Sequence, residues 1–77
     1  MRELVDLLVS KIIERESYDI VLLEDDNNVE IKVFVDKNKI AKLIGRNGRI
    51  ARSIRTIVKA TAQTTDKRYD IYIEERE

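Results

Sequence analysis

The chain has 77 residues, with 15 bases balanced by 15 acids and neither cysteine nor histidine. That length predicts one domain over 1–77, near the lower limit for folding alone, since a domain of about 60 residues buries only roughly 60% of its unfolded surface. Without Cys or His there can be no disulfide, thiol nucleophile, imidazole base or ordinary zinc site, so neither an enzyme nor a bound metal or cofactor is expected.

The first residues, Met1-Arg2-Glu3-Leu4-Val5-Asp6, carry acids where a secretory signal would be apolar, and no apolar run approaches the roughly 20 residues of a membrane span. A cytoplasmic protein with no membrane contact is the expectation. From residue 2 to 15, Leu4, Val5, Leu8, Val9, Ile12 and Ile13 recur at helical spacing between charged residues, which predicts a broad amphipathic helix. Tyr18 to Leu23 is an apolar, branched run. The turn formers Asp25-Asp26-Asn27-Asn28 follow, and then Val29, Ile31, Val33 and Val35 alternate with Glu30, Lys32, Phe34 and Asp36. The pattern reads as a β-hairpin whose second strand has a well-defined core face. The acids of the turn lack the alternating ligands and terminal Glu of a calcium loop. Phe34 and Tyr72, out of phase with the apolar positions, are expected on the sheet face away from the helices.

A short helix is predicted over Lys39 to Ile44, with Asn38 as its N-cap and Gly45 as a left-handed terminator. A second begins near Gly48. Along it Ile50, Ile54, Ile57, Val58 and Ala62 fall on one face and Arg49, Arg52, Arg55 and Lys59 on the other. Tyr69, Ile71 and Ile73 then alternate with polar residues as a closing strand. The order α-β-β-α-α-β has too few strand-helix-strand units for a doubly wound parallel sheet. It predicts an α+β fold, a three-stranded sheet with three helices on one face.

The zero net charge conceals a segregation. From Lys37 to Arg68 there are ten bases against the single acid Asp66, a local charge of +9, and the remaining residues carry −9. A basic stripe beside an acidic remainder is the electrostatic footprint of a polyanion-binding surface. The only two glycines in the chain, Gly45 and Gly48, sit three apart inside that stripe at the junction of two helices. Glycine permits turns closed to other residues and lets a phosphate approach the backbone. The following helix is expected to offer N–H groups at Gly48, Arg49 and Ile50 to an anion.

Leu43-Ile44-Gly45-Arg46-Asn47-Gly48-Arg49-Ile50-Ala51-Arg52-Ser53-Ile54 resembles the I-G-x-x-G signature of KH domains, and the element order resembles the type II form of that fold. Length and the run after the loop are similar to small bacterial KH proteins of the KhpA type. The resemblance covers essentially the whole chain and implies binding of single-stranded RNA, about four nucleotides lying between the loop with its helices and a strand edge. Carried over by position, Gly45, Arg46, Asn47 and Gly48 form a backbone clamp free of acids, with Lys42, Arg49 and Arg52 around it. Ile44 with Ile40 or Leu43 would make an apolar floor under the bases. The absence of aromatic residues among the bases of the second helix implies modest sequence selectivity. An RNA chaperone or post-transcriptional regulator is the function implied, alone, as a homodimer or with a second KH-containing protein. Two other readings compete. The helices and their four-residue turn fit the outline of a DNA-binding helix-turn-helix, and a degenerate KH module could serve protein dimerisation alone.

Overall fold

The structure, a computed structural model, describes residues 1–76. Its elements are α1 (Arg2–Ser10), β1 (Tyr18–Glu24), β2 (Asn28–Asp36), α2 (Ile40–Ile44), α3 (Arg49–Ala62) and β3 (Arg68–Arg76), with single 3₁₀ turns at Arg15–Ser17 and Arg46–Gly48. The three strands form one mixed sheet in the order β1-β2-β3, the first pair antiparallel and the second parallel. The α+β expectation in the order α-β-β-α-α-β is met.

The alternation of β2 decides the layout. Val29, Ile31, Val33 and Val35 are all buried, and the register sets them against Tyr18, Ile20 and Leu22 of β1 and Tyr69, Ile71 and Ile73 of β3. Val5 and Val9 of α1, Leu43 of α2, and Ile54 and Val58 of α3 complete a single core on that face. The opposite face carries Val21, Lys32, Phe34, Tyr72 and Glu74, where Lys32 lies 3.9 Å from Glu74. Phe34 is half-buried and Tyr72 exposed there. Among the described residues no helix is long and apolar enough to cross a membrane.

The hairpin closes as its sequence implies. Asp25 accepts the N–H groups of Asn27 and Asn28 at 2.8 and 2.7 Å, and these donors hold its carboxyl below the usual carboxylate range. At the other end of the sheet Arg76 donates to Asp36 (2.8 Å), Asp19 (2.8 Å) and the Glu16 carbonyl (2.6 Å), tying β3 across β2 to β1.

Two local expectations are corrected. The first helix ends at Ser10 and not at residue 15, because the N–H groups of Ile12 and Ile13 both turn back onto the Val9 carbonyl and Glu14 is extended. Ile13 reaches the core from this turn, and the chain is thereby free to reverse into β1. Asn38 does not cap α2. The Lys39 N–H closes a turn onto the Asp36 carbonyl, and Lys39 itself, already in helical conformation, precedes the helix without a side-chain cap.

Buried Tyr18 joins α1 to β1 by donating its hydroxyl to the Asp6 carboxylate at 2.6 Å. Burial, then the hydrogen bond to Asp6 and the Asp6 charge, push the phenol up to about 12. Its folded value lies above the roughly 10 of an unfolded tyrosine. The associated stabilisation is therefore complete below pH about 10 and is lost as pH rises from there through about 12. In an alkaline absorbance titration one of the three tyrosines should ionise late, and Tyr18→Phe should remove that step while costing about 1 kcal/mol in urea unfolding. A late step that survives in Tyr18→Phe contradicts the assignment.

Candidate nucleic-acid interface

The loop between α2 and α3 is built from residues able to take positive φ. Gly45 adopts φ 79°, ψ 176°, a region essentially restricted to glycine, while Asn47 (φ 55°, ψ 24°) and Gly48 (φ 72°, ψ 17°) are left-handed. Asparagine is among the few non-glycine residues that enter that region readily. Gly45 thus ends α2 with positive φ but outside the left-handed helical region expected of it. A Cβ there would lie 2.7 Å from Ile50 Cγ1, whereas one at Gly48 would meet nothing within 4 Å. The backbone of Gly45 therefore rests on the Ile50 side chain.

The turn uses three of its own donors. Gly45 N–H bonds to the Ala41 carbonyl at 3.0 Å, Gly48 N–H to the Gly45 carbonyl at 3.2 Å, and Arg49 N–H to the Arg46 carbonyl. The expectation that Gly48 and Arg49 offer N–H groups to an anion is corrected accordingly, because a loop this tight needs those bonds to close. What it presents outward are the exposed side chains of Arg46, Asn47 and Arg49 at the positive end of the 14-residue α3. Arg52, also exposed, reaches back to the Asn47 carbonyl at 3.4 Å and braces the loop.

The apolar residues beside the loop divide by packing. Ile40 and Ile44 are half-buried and present part of their surface next to the loop, as does Ile50 beneath Gly45. Leu43 is 0% exposed. It cannot floor a bound base and instead anchors α2 to the core. Ile57 departs from the expected inner face of α3 and is 40% exposed at its margin.

Charge follows the same division. The ion pairs among the described residues use Arg15, Lys32, Lys67, Arg68, Arg76 and the N-terminus. Arg46, Arg49, Arg52, Arg55 and Lys59, and Lys42 on α2, take part in none of them. Arg55 differs from the others in direction: its Nε donates to the Ile71 carbonyl of β3 at 3.4 Å, so its guanidinium lies along the edge of the sheet. Among the described residues no group of three or more acids is placed to hold a metal ion. The chemistry available is therefore that of a positive, acid-free ledge with a shallow aliphatic margin. Such a surface suits a backbone of phosphates next to flat, weakly polar rings.

Comparison with known proteins gives the same direction. The profile of the KhpA/KhpB KH domain matches residues 2–73. The RNA-binding protein KhpA of Borreliella burgdorferi is 32% identical over 72 residues, covering 92% of this chain and 88% of the relative. That of Listeria monocytogenes is 34% identical over 75 residues, covering 95% and 97%. That of Aquifex aeolicus is 30% identical over 69 residues, covering 88% and 87%.

Proposed function

The chain belongs to the KhpA/KhpB family of KH domains, and from that membership we propose that it binds single-stranded RNA, without catalysis, by closing the Gly45-Arg46-Asn47-Gly48 loop on the sugar-phosphate backbone. The observation that carries this reading is the loop itself. Its positive-φ backbone turns Arg46 and Asn47 outward, no acid is interposed, and Arg49 stands at the start of α3. Ile40, Ile44 and Ile50 provide aliphatic contact for bases, and Lys42 and Arg52 add charge on either side. With no aromatic platform on this ledge, base stacking is weak and selectivity modest. The role this fits is a chaperone or post-transcriptional regulator of RNA in the cytoplasm, working as one domain over 1–77.

A short chain with a small core gains from docking, which supports a homodimer or a heterodimer with a second KH-containing protein. Sedimentation with and without RNA tests that part independently.

For the RNA reading, fluorescence anisotropy against an unstructured oligonucleotide over a range of salt is decisive. The slope of log affinity against log salt should be about −0.7 for each phosphate neutralised, or roughly −2 to −3 for a clamp of three or four phosphates. Duplex DNA should compete poorly. A salt-independent signal, or duplex DNA outcompeting the single strand, rejects the reading in favour of protein docking or a helix-turn-helix.

A further inference from the structure

By sequence Lys11 belongs to the acidic part of the chain, yet the fold removes it from there. It follows the last residue of α1 and, with Lys39 just before α2 and Lys42 within it, lines a cavity of about 220 Å³ whose wall includes Ile12, Ile13 and a single acid, Glu14. None of the three lysines forms an ion pair with a described carboxylate. In contrast, Arg15, a few residues along, is 3.4 Å from Asp6. The neighbouring Ser10 hydroxyl is already committed to the Leu7 carbonyl. Three lysines thus line one concavity, and Glu14 is the only acid among the residues that line it. Such a cluster is suited to an anion.

Its position says which anion. Lys39, Lys42 and Arg46 follow one another at spacings of three and four, which places the two lysines along the flank of α2 leading to the loop. Lys42 is about 4.5 Å along the helix axis from Gly45. We propose that the phosphate path continues from the loop over Lys42 and Lys39 to Lys11, so that this cavity holds phosphates of the same RNA strand lying outside the clamped nucleotides. The inference rests on the clamp reading and extends the footprint onto α1. The competing structural role is local: the lysines would merely neutralise the negative carboxyl end of α1.

Lys11→Gln combined with Lys39→Gln separates these roles. Binding of a tetranucleotide and of a 12-nucleotide single strand is measured for the wild type, this variant, and a charge-matched control, Lys32→Gln with Arg68→Gln, on the far face of the sheet. The 12-mer should lose roughly 10- to 30-fold in affinity at 0.1 M salt and its salt slope should become shallower by about 1.4, the value for two phosphates. The tetranucleotide should be unaffected. An unchanged slope on the 12-mer overturns the proposal, as does an equal loss in the control or on the tetranucleotide. A fall in melting temperature without a change in slope assigns the lysines to the end of α1 and overturns it too. Failure of the clamp registers separately, as tetranucleotide binding indifferent to Arg46→Asp with Asn47→Asp.

Discussion

Substituting Arg46→Asp and Asn47→Asp together should lower the affinity for single-stranded RNA by roughly 100-fold or more and leave the fold intact. Both side chains are exposed, neither contributes to the core, and the Gly48–Gly45 and Arg49–Arg46 bonds that close the turn are made by backbone groups. Nothing that holds the loop together is removed. The change at the ligand is large, because two negative charges are gained and one positive charge is lost within two residues, a net change of −3. Loss of a charged hydrogen bond to phosphate costs about 1.5–3 kcal/mol. Each new carboxylate adjacent to a phosphate adds repulsion of about 1 kcal/mol at 4 Å in water, and more where solvent is excluded. Together these amount to about 3–5 kcal/mol, or two to more than three decades in dissociation constant. Anisotropy titration reads the loss, and a circular dichroism melt within a few degrees of the wild type confirms the fold. Affinity within threefold of the wild type would mean that RNA does not meet this loop.

How much of this was legible beforehand differs by element, and the differences have physical causes. The strand β2 was readable because strict alternation admits one burial pattern, and the order of the remaining elements followed once it was placed. The glycine pair was readable as a turn since few other residues tolerate positive φ. What the turn does with its hydrogen-bond donors was not. Periodicity locates a helix start, but whether its N–H groups face a ligand or close a 3₁₀ turn depends on the backbone conformations of Asn47 and Gly48. Leu43 illustrates a second limit: in a five-residue helix Ile40, Leu43 and Ile44 are equally apolar, and only the packing of α2 on the sheet shows which one is fully buried. Ile57 sits at the margin of a helical face, where periodicity alone does not say how far the neighbouring elements reach. Ile12 and Ile13 continued the helical repeat of α1 after the helix itself had stopped, because a turn can deliver an apolar side chain to the core as well as a helix can. Lys11 was missed for a different reason. Charge summed over segments of sequence cannot register a residue that the fold carries to another group.

The other large effect expected concerns Gly45. Gly45→Ala should destabilise the domain by about 2–6 kcal/mol, and Gly48→Ala, three residues on, by only about 1–2 kcal/mol. At Gly48 the cost is conformational alone, since an added methyl group meets nothing within 4 Å and the left-handed region is merely unfavourable for an L-residue. At Gly45 two penalties coincide. The combination φ 79°, ψ 176° is closed to L-residues at roughly 1–3 kcal/mol. The methyl group would also enter the Ile50 side chain at 2.7 Å, an overpacking worth a further 1–3 kcal/mol. A domain of this size has a total stability on the order of 4–12 kcal/mol, so Gly45→Ala removes a large part of it. Urea unfolding of the two variants should show that ranking, and equal or reversed losses would refute the account of the loop. The steric half can be isolated by a double-mutant cycle. Ile50→Ala removes Cγ1 and Cδ1, the two nearest atoms that the new methyl would strike, and leaves Cβ at 3.1 Å, so Gly45→Ala should cost at least about 1 kcal/mol less in that background than in the wild type. If the cost is the same in both, backbone conformation alone demands glycine at 45, and Ile50 is only a neighbour beneath the loop.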